Sequence, residues 1–206
     1  MSIAITEAIT TIAEAEQRLG LTRVEDAAFF PEWRENLSGL SKADRLALIE
    51  VRRRYLYQRT AGQLLEGTVM LLLVSPLLTV AGFYDPPFRV RAEESVFLDL
   101  TDSEEILSGR IDVLVVVNGL WVVVLEGKKT ALSVWGAVPQ TLAYLMANPR
   151  VSEPSFGLVT NGDEIVFVKV EAGQYGVSQV FSPIASGDEF EQALQVLQGL
   201  GQRKLG

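Results

Sequence analysis

The stretch from Arg110 to Lys128 constrains this chain more than any other. Two apolar runs, Arg110–Val117 and Leu120–Lys128, flank Asn118-Gly119. Val113, Val115, Val116 and Val117 fill the first run; Trp121, Val122, Val123 and Val124 fill the second. β-Branched and aromatic residues around an Asn-Gly pair predict an antiparallel hairpin. The hairpin carries acids near its open end. Asp112 follows Gly109-Arg110-Ile111, and Glu126-Gly127-Lys128-Lys129 follows five apolar residues, Trp121–Leu125. Buried strand therefore runs straight into charge.

The remaining elements are arranged around that hairpin. Residues 3–18 read as helical. Ser41 with Asp44 predicts a capped helix running to about Gln58. A further helix is expected over Gly62–Leu73 or beyond, ended or kinked by Pro76. Arg89–Leu100 reads as a strand. Ala131–Ala147 reads as a helix, stopped by Asn148-Pro149. Phe156–Thr160 and Ile165–Val170 form a second hairpin around Asn161-Gly162, with a last strand near Gly176–Phe181. Gly187-Asp188 opens an amphipathic C-terminal helix carrying Phe190, Leu194 and Leu197. Helices, three strands, a helix, strands and a helix predict an α/β sandwich around a mixed sheet. The expected organisation is an N-terminal helical extension over 1–60 and a main domain over 61–206.

Composition narrows the chemistry. The chain has no cysteine and no histidine. Disulfides, thiolate catalysis, zinc-cysteine sites, the Ser-His-Asp triad and imidazole-ligated metals are excluded. Acid–base work falls to Asp, Glu, Lys or Tyr. A bound metal must be a hard cation on oxygen ligands. The net charge of −8 argues against an extended nucleic-acid footprint but permits a small cleft with a few cations. Residues 1–20 carry Glu7, Glu14, Glu16 and Arg18, unlike a secretory leader. Val69–Phe83 is too short to span a bilayer and is interrupted by Ser75, Pro76 and Gly82. A cytoplasmic protein without a membrane anchor is expected.

Asp112, Glu126 and Lys128 form a chemically coherent group. Side chains two apart on a strand share a face, so Glu126 and Lys128 do. Two carboxylates and the Gly127 carbonyl can hold an octahedral magnesium or manganese ion, with water at the remaining positions. Such an ion lowers the pKa of bound water and neutralises phosphate charge. Lys128 could orient that water or stabilise the transition state. The arrangement needs Asp112 and Glu126 on one face. A regular two-residue turn pairing Val117 with Leu120 would set Asp112 opposite Leu125 and turn Glu126 away. A shared face therefore predicts a three-residue loop, Val117-Asn118-Gly119, pairing Val116 with Leu120 and setting Asp112 opposite Val124, or another bulge in the hairpin.

Glu-x-Lys alone is a weak motif; the surrounding order makes it specific. Gly109-Arg110-Ile111-Asp112, Glu126-Gly127-Lys128-Lys129, Gln140-Thr141-Leu142-Ala143-Tyr144 and Leu158-Val159-Thr160-Asn161-Gly162 occur in that sequence over about 80 residues, Arg89–Val170. This pattern resembles the PD-(D/E)XK nuclease superfamily, and within it the N-terminal nuclease domain of type I restriction enzyme R subunits. The resemblance implies a restriction-endonuclease-like three-layer sandwich, a central mixed β-sheet flanked by helices. It implies a magnesium-dependent DNA endonuclease with Asp112, Glu126 and Gly127 at the metal and Lys128 beside it. Glu66, in Leu64-Leu65-Glu66-Gly67, matches an acid often found on the preceding helix, and Gln140 an assisting amide. Tyr144, one turn on, reads as a packing residue. Ile111 stands where the superfamily name has proline. The R subunits continue into a motor domain, which is not expected of this chain. DNA, restriction-modification partner subunits and a second copy of the chain are the expected partners.

Two features compete for attention. Arg52-Arg53-Arg54 with Arg59 is the strongest basic cluster, and a solvated helix surface accounts for it better than phosphate contact. The competing function is a catalytically inactive interaction or oligomerisation module on the same fold, favoured by the acidic balance and high apolar content.

Overall fold

A computed structural model describes residues 2–34, 37–99, 105–117, 120–127, 129–150 and 153–203. The chain opens with β1 (Ser2–Ala4), α1 (Ile5–Ala8), α2 (Ile12–Leu19) and β2 (Thr22–Arg23). Then come α3 (Lys42–Arg59), α4 (Glu66–Val69) and α5 (Ser75–Val80). The long strands are β3 (Arg89–Asp99), β4 (Ile106–Val117) and β5 (Leu120–Gly127). The chain continues through α6 (Val138–Met146), β6 (Ser155–Thr160), β7 (Ile165–Glu171), β8 (Gln174–Val177) and α7 (Glu189–Arg203).

All eight strands join one mixed sheet in the order β1-β4-β5-β6-β7-β8-β2, with β3 added beside β4. Side chains alternate between two cores. Phe156, Leu158, Ile165 and Phe167 face a core closed by α3, α5 and α7. Val159, Val166, Val168 and Tyr175 face another, closed by α1, α2 and α6. The result is the expected three-layer α/β sandwich.

The N-terminal 60 residues depart from a helical extension. They add two short strands to the sheet: β1 pairs with β4 and β2 with β8, both parallel. Ile5, Ile9, Ala15 and Leu21 complete one core, and Leu48, Val51 and Tyr55 the other. Strands of three and two residues have too little alternation to stand out from their neighbours in the sequence. The predicted cap of α3 is present: Asp44 N–H donates to Ser41 Oγ, and the Asp44 carboxylate accepts from Ser41 N–H. Pro76 does not end its helix. Helical backbone runs from Glu66 to Val80, with a wide turn over Met70–Val74 in which Ser75 N–H bonds the Met70 carbonyl. That i−5 bond opens the helix where the proline ring would otherwise press on the preceding turn.

A buried charged cluster ties the first segment to the end of the sheet. Lys169, 4% exposed, bridges to Glu32 at 3.1 Å and Glu171 at 2.8 Å and donates to the Phe29 carbonyl at 2.9 Å. Arg203 of α7 reaches the same Glu32 oxygen at 2.7 Å.

Two buried tyrosines give the fold an alkaline limit. Burial, then the hydrogen bond to Glu16, pushes the Tyr175 hydroxyl up to about 12. Burial, then the Asp163 carboxylate, raises Tyr55 as well. An unfolded tyrosine ionises near pH ~10. The stability these groups contribute is complete below that pH and is lost as pH rises through the folded values. The melting temperature should fall more steeply above about pH 10 in wild type than in Tyr175→Phe. Equal slopes would show that Tyr175 carries none of the loss.

Candidate active site

Strand β4 organises the site because its two edges are filled differently. β3 occupies one edge from Ile106 to Val116. The other edge is shared: β1 covers Ile106–Ser108, and β5 covers Val113–Val117. Residues 109–112 lie in the gap. β1 runs parallel to β4 and β5 antiparallel, so their C-terminal ends converge on this gap from opposite directions. Crevices at the carboxyl ends of diverging strands are where α/β sheets receive ligands. A cleft of about 300 Å³ opens there. Glu66, Asp112, Gln140 and Tyr144 line it, together with Thr6, Ser108, Gly109 and Arg110.

The hairpin register brings the second acid's position to the same place. Val117 pairs with Leu120 and Val116 with Trp121, so the turn has two residues and not three. A bulge follows at once: Val115 pairs with Val123, and Val122 is the extra residue. Leu114 therefore takes Val124, Val113 takes Leu125, and the next backbone positions in register are Asp112 and Glu126. Asp112 does not face Val124. The bulge is in the strand instead of the loop, and it makes the register change that a shared face requires. Beyond its backbone placement in β5, the side chain of Glu126 lies outside the described residues, as does Lys128 entirely.

Asp112 also marks a break in alternation. Leu107 and Ile111 belong to the core under α6, whereas Val113, Val115 and Val117 pack into the core under α3 and α7. All five are odd-numbered and would share a face on a regular strand. The partner strand changes at the same level: Val96 lies in the first core and Val90 against the second. Between them Glu93 has φ 55, a left-handed conformation that L-residues adopt at a penalty. The two-strand ribbon thus rotates at Glu93 and Asp112, passing from one core to the other.

Neighbouring segments are fixed to the cleft by specific hydrogen bonds. Thr130 N–H donates to the Leu64 carbonyl at 3.2 Å, and Leu64 N–H donates to Thr130 Oγ1 at 3.0 Å. These bonds anchor the start of α4, and with it Glu66, beside the exit of β5. Asn161 Nδ2 donates to the Leu132 carbonyl at 2.8 Å, while its Oδ1 accepts from the backbone of Asp163 and Glu164. The Thr-Asn-Gly segment therefore holds the β5–α6 loop. Gln140 Nε2 donates to Tyr144 Oη at 2.6 Å. Tyr144 is buried, in keeping with a packing role, but also borders the cleft and orients the amide. Gly109 makes room for it: a Cβ there would sit 2.7 Å from Tyr144 Cε1 and 2.9 Å from Ile5 Cδ1.

The cleft thus gathers Glu66, Asp112 and Gln140, which the sequence singled out, and brings the backbone of Glu126 and Gly127 to its edge. Thr6 and Ser108 were not anticipated. Thr6 comes from the N-terminal segment, which carries no motif, and Ser108 precedes the recognised Gly-Arg-Ile-Asp run. Among the described residues no three acids gather as a ready metal cage. The donor set is all oxygen, which suits a hard divalent cation. The basic cluster on α3 is engaged elsewhere. Arg59 pairs with Asp163 at 2.9 Å, Arg52 donates to the Ile184 carbonyl, and Arg53 pairs with Glu50 at 2.8 Å.

Residues 94–176 match the sequence model of the family described as type I restriction enzyme R protein N terminus. That span includes Asp112, Glu126, Lys128, Gln140 and the Thr-Asn-Gly turn, and leaves Glu66 outside. No curated protein matches the chain. Among the described residues no helix is long and apolar enough to cross a membrane.

Proposed function

We propose that the cleft is a magnesium- or manganese-dependent active site that hydrolyses phosphodiester bonds in DNA. The observation that carries this reading is the β4–β5 register, whose last pair, Val113 with Leu125, leaves positions 112 and 126 next in line at the open edge of β4. The family match over the same segment supports it. Asp112, Glu126 and the Gly127 carbonyl would hold the ion. When bound, it neutralises phosphate charge and lowers the pKa of a coordinated water.

The chain's own groups do the remainder. Lys128 donates to the attacking water or to a non-bridging phosphate oxygen as charge develops there. Gln140 has one amide N–H committed to Tyr144, so its carboxamide is held for a water or phosphate oxygen. Glu66 stands at the cleft wall as an acceptor for a second water. Attack on phosphorus breaks one P–O ester bond and leaves a phosphate monoester and a hydroxyl. Self-association and restriction-modification partner subunits belong to the same proposal.

The test is cleavage of plasmid and linear DNA with magnesium or manganese, beside EDTA controls and Lys128→Ala. Metal-dependent cleavage that the variant loses is the expected result. Magnesium at a hundred times its Kd should also stabilise the fold by about 2.7 kcal/mol. Purified protein that neither cuts DNA nor gains stability from the ion would sink the proposal and leave an inactive module.

A further inference from the structure

Among the described residues, the sheet near β1 is covered on one face only. Val96, Leu98 and Leu107 point into the core under α6, and Gly109 is pressed against Tyr144. The opposite face carries the alternate residues in register. Asp99 stands opposite Ile106, Phe97 opposite Ser108, and Ser95 opposite Arg110. Phe97 is 67% exposed, Ile106 44%, and the Arg110 side chain 65%. An aromatic ring, two hydroxyls and a guanidinium thus lie on an open patch of sheet. Ser108 and Arg110 belong to this patch and to the wall of the cleft at once.

We infer that this face is a docking platform for an unpaired DNA strand that leads into the cleft, with a base stacked on Phe97 and a phosphate held by Arg110. The inference rests on the nuclease reading and names its substrate class. Among the described residues the ion-pair partner of Arg110 is Glu93, at a loose 3.6 Å with both groups largely exposed. Such a pair contributes little and yields to a phosphate. A duplex presents a dense double row of phosphates and needs many cations. This chain has net charge −8, and Glu93 and Asp99 flank the platform. A single strand needs few cations because stacking on an aromatic ring supplies much of its affinity.

The experiment is fluorescence anisotropy without divalent metal. It compares a labelled oligothymidylate with a duplex of equal length, on wild type, Phe97→Ala, Phe97→Trp and Arg110→Ala. Wild type should prefer the single strand. Phe97→Ala should weaken it about tenfold, with Phe97→Trp retaining it. Arg110→Ala should make the slope of log K against log salt shallower by about 0.7. Phe97 is exposed, so its variants should fold, which thermal melting verifies. Phe97→Ala binding the oligothymidylate as tightly as wild type, or a wild type without single-strand preference, would overturn the platform; duplex cleavage with magnesium in a separate assay would leave the nuclease standing. A wild type that binds neither DNA would also overturn the platform, while the nuclease reading stands or falls on the metal-dependent cleavage assay. A Phe97→Ala variant whose only change is loss of a dimer in sedimentation would assign the face to a second copy.

Discussion

Asp112→Ala should slow metal-dependent DNA cleavage by about a thousandfold or more while leaving a cooperative folded state. In the proposed site Asp112 supplies one of two carboxylates to the ion. Losing a first ligand removes charge and geometry together, and groups that stabilise developing charge each carry two to three orders of magnitude or so. Asp112→Asn should behave similarly, because the amide keeps the shape and loses the charge. Gln140→Ala should be milder, about ten- to a hundredfold, since it touches water or phosphate and not the ion. Single-turnover rates at saturating metal, with circular dichroism melts of each variant, read these effects. An Asp112→Ala enzyme within tenfold of wild type would remove the acid from the mechanism, whatever the other variants do.

Gly162→Ala should destabilise the fold strongly, by about 3 kcal/mol or more. Two independent penalties coincide there. The backbone has φ 92, where an L-residue is strained. A Cβ would also lie 2.1 Å from Tyr55 Oη and 2.8 Å from its Cζ. Tyr55 cannot yield easily. It is fully buried and its hydroxyl donates to Asp163 at 3.0 Å, beside the Arg59–Asp163 pair. Moving it loosens α3 and the Asn161 turn that holds Leu132. In a domain of this size the melting temperature should drop by about 6–12 °C. Tyr55→Phe in the alanine background should recover little, because the ring carbons clash as well. A melting temperature unchanged in Gly162→Ala would mean that the turn rearranges freely.

The sheet centre was legible because its signals are local. A valine-rich hairpin around Asn-Gly, an Asn-Gly turn between β6 and β7, and a Ser–Asp cap on α3 each lie within a few residues. The long-range features were not. Nothing local to Ser2–Ala4 says that it pairs with Ile106–Ser108, a hundred residues away, so the first wall of the cleft was missed. The extent of β4 was missed for a related reason. Its first half, Ile106-Leu107-Ser108-Gly109-Arg110, has neither strict alternation nor a continuous apolar run and reads weakly beside the valines. The hairpin shows how a site can be anticipated while its cause is misplaced. The need for a register change followed from the chemistry, but sequence could not locate it at Val122 instead of in the turn. Gly157 and Gly176 lie within strands, and nothing local to either says why glycine stands there. They leave room for Thr141 and Phe30, which a Cβ would meet at 2.7 and 1.8 Å. Glu66 and Gln140 were found through resemblance, because a lone acid or amide on a helix has no signature of its own.

The rotation of the β3–β4 ribbon has a consequence for redesign. Ile111 packs into the core under α6 and Val113 against the core under α3 and α7, so the turnover at 112 is anchored on both sides. The backbone at position 112 turns over between two packed layers and leaves its strand edge open beside the cleft. The position is therefore a transferable address. A metal-chelating or nucleophilic side chain grafted at 112 would inherit rigid support from both hydrophobic layers, and the scaffold could be given new chemistry without rebuilding a single loop.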